Sequence, residues 1–296
     1  MKKKTTNLLV LLLLAIIFVP NALAQRGAPP KTDSRMIYHN GPVMRGASHV
    51  YFIYYGCWSC GMPGTGVQSQ AVVSNLVSTL GLSPYFRINT TYPDSTGDAP
   101  NGALVYAGAV YDSSYSHGNE LTAADISAII ADNLLQGMIP QDPVGIYLVF
   151  ASPDVSSIET GFCNAGYSPY HGQSVLMGTA FRFAFIGNAM RCPVPAGPQF
   201  VALDGSFLPT PNGDFAGDAM ASIAARALNM IVTNPNGSGW YDRYYFENAE
   251  KCQGTFGTTY TTSSGARANM QLGGRDYLID QNWVNDRKGY CSVSYP

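Results

Sequence analysis

Charge is scarce in this chain: Asp, Glu, Lys and Arg make up 12% of its 296 residues, and the formal net charge is −2. Such a balance supplies no basic surface of the kind that nucleic acids or anionic membranes attract, so neither is an expected partner. Histidine is rarer still. His39, His49, His117 and His171 are the only four, and none stands in a His-x-x-x-His or His-Glu-x-x-His spacing. No local metal motif is present, and no metal or cofactor is expected. The nucleophile elbow, the phosphate loop and the dinucleotide fingerprint are missing as well, which removes the commonest hydrolase and nucleotide-binding readings. There is no internal repeat and no long low-complexity linker. After the first 24 residues no apolar run approaches the roughly 20 that span a bilayer, so no membrane anchor is expected.

What is present begins at the N-terminus. Met1 and Lys2 to Lys4 precede an apolar run from Leu8 to Val19, and Asn21-Ala22-Leu23-Ala24 follows. A charged start, a short apolar stretch and a small-x-small site predict a signal peptide over residues 1–24, cleaved after Ala24, and hence export. Cleavage removes three lysines and leaves a more acidic chain. Residues 25–35 read as a flexible, proline-bearing leader, and residues 36–296 as a single domain, long enough for a large core.

Export makes sense of the cysteines. Cys57, Cys60, Cys163, Cys192, Cys252 and Cys291 form an even set in an oxidising compartment. Six cysteines allow 15 pairings, and order and spacing favour Cys57–Cys60, Cys163–Cys192 and Cys252–Cys291. Cys57 and Cys60 also have redox-pair spacing between a strand and a helix, so a thiol-disulfide protein is a minor alternative. Asn89 and Asn236 head Asn-x-Ser/Thr triplets and are glycosylation candidates if the source is eukaryotic.

Local pattern gives an α/β fold. His49 to Tyr55, Gly145 to Ala151 and Ala180 to Gly187 are rich in β-branched and aromatic residues and predict strands. In the last, Phe181, Phe183 and Phe185 alternate with Arg182, Ala184 and Ile186, which predicts one more deeply buried face. Gly66 to Leu80 has helical periodicity. A second helix is predicted after Thr122, with Asp125 completing a capping box, ending before Pro140. A third runs from about Asp218 to Val232, its apolar face opposed by Ser222, Arg226, Asn229 and Thr233. Interleaved strands and helices predict a mixed β-sheet flanked by helices in one layered, disulfide-stabilised domain with long Gly/Tyr-rich loops.

Chemistry-bearing residues are less well marked. Glu247 with Glu250 and Asp214 with Asp218 could act as acid and base, but caps and surface turns are the favoured reading. Trp240-Tyr241 with Tyr244-Tyr245-Phe246 could stack on the apolar faces of sugar rings, against the commoner role of aromatics in the core.

Tyr38-His39-Asn40-Gly41-Pro42-Val43, the strand ending Tyr54-Tyr55-Gly56, and the stretches Tyr147 to Val155, Phe162-Cys163 to His171-Gly172, Ile186-Gly187-Asn188 and Cys192-Pro193 resemble, in order, the EXORDIUM or phosphate-induced protein family. The resemblance is strongest in Pro211-Asn212-Gly213-Asp214, Val232-Thr233-Asn234-Pro235, Trp240-Tyr241-Asp242, Glu247-Asn248-Ala249-Glu250-Lys251-Cys252 and Gly273-Gly274-Arg275-Asp276-Tyr277-Leu278. It implies an extracellular protein, associated in plants with the cell wall and with growth, and brings no settled catalytic activity. Similar members carry a His-Glu pair in the third helix, where this chain has Arg226 and Ala227. Arginine offers only donors, so the departure argues against a hydrolase. The expectation is therefore a secreted, non-catalytic protein binding polysaccharide or another extracellular protein, with His39, His171, Trp240, Tyr241, Asp242 and Glu247 as candidate binding residues. The runner-up is a metal-dependent extracellular hydrolase using His39 or His171 with Glu247 or Asp242.

Overall fold

A computed structural model describes residues 35–296. The expected signal peptide and the leader up to residue 34 lie outside the described residues. The chain enters through a short strand, β1 (Met36–Tyr38), and then β2 (Ser48–Tyr55), the first strand of the predicted sheet. Helix α1 (Val67–Leu80) connects β2 to β3 (Leu104–Asp112), and α2 (Ala123–Leu135) connects β3 to β4 (Gly145–Ala151). An antiparallel hairpin of β5 (His171–Leu176) and β6 (Thr179–Ile186) follows. The order across the sheet is β3-β2-β4-β6-β5, and every pair but β5 with β6 is parallel.

This is the predicted mixed sheet flanked by helices. Both faces of β4 are buried along its whole length, as a parallel strand between helical layers must be. The chain moves from β2 to β3 on one side and then to β4 on the other. Right-handed crossovers in opposite directions place α1 and α2 on opposite faces. Phe181, Phe183 and Phe185 are all buried, but so are Ala184 and Ile186, because the C-terminal half of β6 is covered on both sides. Thr122 caps α2 as expected: its hydroxyl accepts from Asp125 N while the Asp125 carboxylate accepts from Thr122 N at 2.8 Å.

After the short helix α3 (Pro193–Ala196), α4 (Phe215–Thr233) fills the centre and packs against α1. By length and composition α4 could cross a membrane, against the expectation that nothing after the leader comes near that length. It is instead 94% buried within the protein. Its polar line faces other elements, not solvent. Asn229 Nδ2 donates to Tyr85 Oη at 3.0 Å, and its Oδ1 accepts from Asn89 Nδ2 at 2.7 Å. Asn89 Oδ1 in turn accepts from Asn248 Nδ2 at 3.1 Å. Such a satisfied buried network ties α4 to the segments on either side of it in sequence. It also corrects one expectation: Asn89 is enclosed and its amide nitrogen engaged, so only Asn236, which is exposed, offers room for a glycan.

Beyond α4 the elements shrink. Strand β7 (Trp240–Asp242) pairs with β1, and the one-turn helix α5 (Asn248–Lys251) follows. Three ribbons complete the chain: β8 (Tyr260–Thr261) with β9 (Arg267–Ala268), β10 (Met270–Leu272) with β11 (Arg275–Tyr277), and β12 (Asn282–Val284) with β13 (Tyr290–Ser292). The disulfides are those that spacing favoured: Cys57–Cys60, Cys163–Cys192 and Cys252–Cys291. The last joins the end of α5 to β13, where the local strands are too short to hold by themselves.

Candidate functional site

The β1–β7 ribbon sorts its aromatic residues by register. Met36 pairs with Asp242, Ile37 with Tyr241 and Tyr38 with Trp240, so alternation sends Ile37 and Tyr241 to one face and the rest to the other. Trp240 packs inward, 5.3 Å from the Tyr38 ring and edge-on to Tyr92 at 5.6 Å, and donates its indole N–H to Pro93 O at 3.0 Å. Of the sequence candidates, Trp240 therefore belongs to the packing.

The opposite face carries a row of rings. Tyr241 stacks on His39 with centroids 3.5 Å apart and planes within 4°, and on Tyr245 at 5.5 Å and 16°. His39 Nε2 donates to Tyr241 O at 3.3 Å, which fixes the imidazole over the phenol. Tyr245 is 49% exposed and Ile37 43% exposed, so the row opens to solvent. Tyr245 has a left-handed backbone at φ 67°, and so does Asn40 beside His39 at φ 64°. That conformation costs on the order of 1 kcal/mol for a residue with a side chain. Burial, and then the Tyr245 ring, push the Tyr241 phenol above its ordinary range, so it stays neutral.

Asp242 builds the turn that holds Tyr245. Its Oδ1 accepts from Tyr244 N at 2.8 Å and Phe246 N at 3.0 Å, while Oδ2 meets Lys251 Nζ at 3.1 Å. Both side chains of this ion pair are almost wholly enclosed, and Lys251 also lies 4.5 Å over the Trp283 ring. A buried pair of this kind is costly to break on one side, since the remaining charge loses its partner. Asp242 is thus a positioning residue, and Lys251 is the partner that no sequence signal announced.

His171 and Glu247 do converge. His171 Nε2 lies 2.7 Å from Glu247 Oε2, and Asn234 Nδ2 donates to Glu247 Oε1. Glu247 also caps α5 in a reciprocal box with Glu250, whose carboxylate accepts from Glu247 N at 2.8 Å. Burial opposes charge on His171, but the Glu247 carboxylate outweighs it by charge and hydrogen bond, helped by Glu250, and the imidazole pKa is raised. Burial, and then the Glu247 carboxylate, push the Glu250 carboxyl up as well. The cluster clamps the start of β5, the C-terminus of α4 and the start of α5. His39 joins the aromatic row and Asp242 the Lys251 pair, so the runner-up hydrolase's His39 and Asp242 are committed elsewhere. Among the described residues, no three His, Cys, Asp or Glu side chains gather to hold a metal.

The other carboxylate pair also serves structure. Asp214 caps α4 by accepting from Gly217 N at 2.8 Å. Asp218 is buried, not on the surface, and accepts from Asn212 N and Nδ2; burial pushes its pKa up to about 6.

One arrangement escaped the sequence altogether. Where β3 and β4 part on either side of β2, the C-terminal ends of the strands form the switch point at which open α/β sheets bind ligands. Here Asp154 accepts from the hydroxyls of Ser152 and Tyr115, each at 2.5 Å, and Cys57 N donates to both hydroxyl oxygens at 3.1 Å. Burial raises the Asp154 pKa, but these hydroxyls outweigh it and the carboxyl sits below its usual range. Gly56, at φ 89°, lets the chain turn there: a Cβ would stand 2.0 Å from Ser152 Oγ. The Cys57–Cys60 disulfide closes this loop six residues before α1, away from the helix N-terminus that lowers thiol pKa in redox pairs.

Fold and site together define a disulfide-stapled α/β protein with a mixed, mostly parallel sheet and an exposed aromatic row on an accessory ribbon. The family described as phosphate-induced protein 1 conserved region matches residues 36–288, and the chain belongs to that family. Two relatives are from Arabidopsis thaliana. Protein EXORDIUM-like 5 is 28% identical over 289 residues, covering 86% of this chain and 76% of the relative. Protein EXORDIUM-like 3 is 27% identical over 339 residues, covering 97% and 96%. No solved structure matches the chain.

Proposed function

We propose that this chain is a secreted, non-catalytic EXORDIUM-like protein that works in growth at the cell wall or cell surface by binding polysaccharide through the row of His39, Tyr241 and Tyr245. The exposed stacked row carries the reading. Sugar rings present apolar C–H faces to aromatic rings, and the left-handed residues at Asn40 and Tyr245 hold this row open to solvent at a cost in backbone energy. The signal-like N-terminus, the three disulfides and the kinship with EXORDIUM-like proteins support export. The His171–Glu247 pair, enclosed and directed at its neighbours, supports a structural clamp over a catalytic centre.

The test is retention of the purified protein on insoluble cellulose, xylan, pectin and β-glucan. Wild type binds at least one of them. Tyr245→Ala, which removes one ring of the row, weakens that binding roughly 10-fold, the equivalent of about 1.4 kcal/mol. Failure of wild type to bind any of the four, or equal binding by Tyr245→Ala and Tyr241→Ala, sinks the proposal.

A further inference from the structure

A cleft of about 290 Å³ opens beside α4, with Ser222 and Arg226 one helical turn apart on its wall and Ala196, Ile223, Phe256 and Asp280 around them. Ser222 is 2% and Arg226 6% exposed, yet Ser222 Oγ and Arg226 Nε have no hydrogen-bond partner among the protein's atoms. The rest of the guanidinium is engaged: Nη1 meets Asp280 Oδ2 at 3.3 Å, and Nη2 donates to Tyr167 O at 2.7 Å. Two enclosed donors without partners burden the fold, because each has given up water for nothing in return. Groups of that kind persist where a ligand uses them.

The chemistry of the wall narrows the ligand. Asp280 already neutralises Arg226, so an incoming carboxylate would place a second negative charge on the same enclosed guanidinium. A neutral oxygen acceptor meets no such repulsion. Arg226 Nε–H and Ser222 Oγ–H can both donate to it, and the side chains of Ala196, Ile223 and Phe256 offer an apolar surface next to it. An acetyl group has this character, with one carbonyl oxygen and one methyl. We propose that the Ser222–Arg226 cleft binds the acetyl group of an acetylated sugar. The cleft volume suits a single sugar residue. The inference stands on residues separate from the aromatic row.

The test is a titration of the full secreted chain followed through the methyl resonances of Ile223 and Ala196. The probes are N-acetylglucosamine, 6-O-acetylglucose, glucose and acetate. One or both acetylated sugars shift these resonances in a saturable way, which also tells an amide source from an ester source, while glucose and acetate do not. Ser222→Ala weakens the response about 10-fold and leaves the melting temperature unchanged or higher, since it deletes an unpartnered buried hydroxyl. Tyr245→Ala, in the aromatic row, leaves the response intact, so failure here is separable from failure of the polysaccharide reading. A shift with acetate equal to that with the acetylated sugars overturns the proposal. So does the absence of any saturable shift, a Ser222→Ala response equal to wild type, or a Ser222→Ala variant that melts well below wild type.

Discussion

In the central sheet the strands run six to nine residues and the three long helices thirteen to nineteen, whereas from Trp240 to Ser292 no element exceeds four. The first region is held by apolar packing: Phe150 sits 4.6 Å from the Phe52 ring and 5.6 Å from Tyr54, in a layer closed on both sides. The second is held by specific links, namely the Asp242–Lys251 pair, the Glu247–Glu250 box and the Cys252–Cys291 bond. Packing tolerates no local opening, while single links can fail one at a time. The contrast teaches where an exposed aromatic row is accommodated. The aromatic row lies on the ribbon region, where strained turns and exposed rings do not disturb the core.

Three measurements would break or sharpen this contrast. Phe150→Ala removes a large ring from the sheet core and costs about 4 kcal/mol. Denaturant unfolding shows it as one cooperative loss spread over the protein. Replacing Cys252 and Cys291 together by Ser, which opens a loop with a sequence separation of 39, costs at most about 4 kcal/mol by the loop-entropy account. Hydrogen exchange then shows faster exchange from residue 240 onward, with the amides of β2 and β4 still protected. If both changes give the same global pattern, the two regions form one cooperative unit and the contrast fails.

The smallest effect is a pH dependence at the seam between the two regions, where His171 at the start of β5 meets Glu247. His171 has a folded pKa raised above its ordinary 6.5, and the Glu250 carboxyl is raised too. A group whose pKa rises on folding binds its proton more tightly in the native state. Its stabilising contribution is full below the unfolded value and is lost as pH rises through the folded one. Stability is therefore expected to fall as pH rises from about 6 toward alkaline values. In His171→Gln the fall is shallower. A wild-type stability that climbs over this range contradicts the raised imidazole.

How much was legible follows the same division. The three strands β2, β4 and β6, the helices α1, α2 and α4, the Thr122–Asp125 box and the three disulfides could be read from pattern and spacing. Strand β3 went unread, although its alternating burial matches its sequence, because Ala107, Gly108 and Ala109 dilute the β-branched signal. Strand β5 went unread because His171-Gly172-Gln173-Ser174 lacks such residues; it is an edge strand that borrows its shape from β6. Among the site candidates, Tyr241 and His39 could be suspected as aromatic and polar residues in loops. That Tyr241 faces out while Trp240 faces in is a matter of register with β1, some 200 residues earlier in the chain.

The helical and strand periodicities, the cysteine spacing that favoured the observed pairs, and the family are properties of neighbouring residues or of their order, and the sequence alone determined them. Tertiary structure decided the burial of α4 on every side, the meeting of His171 with Glu247 across 76 positions, and the isolation of Ser222 and Arg226 Nε in a cleft. The physical reason is range. Periodicity reflects side chains within a few residues of one another, whereas partners, and the lack of partners, are settled only when distant segments share one enclosed volume.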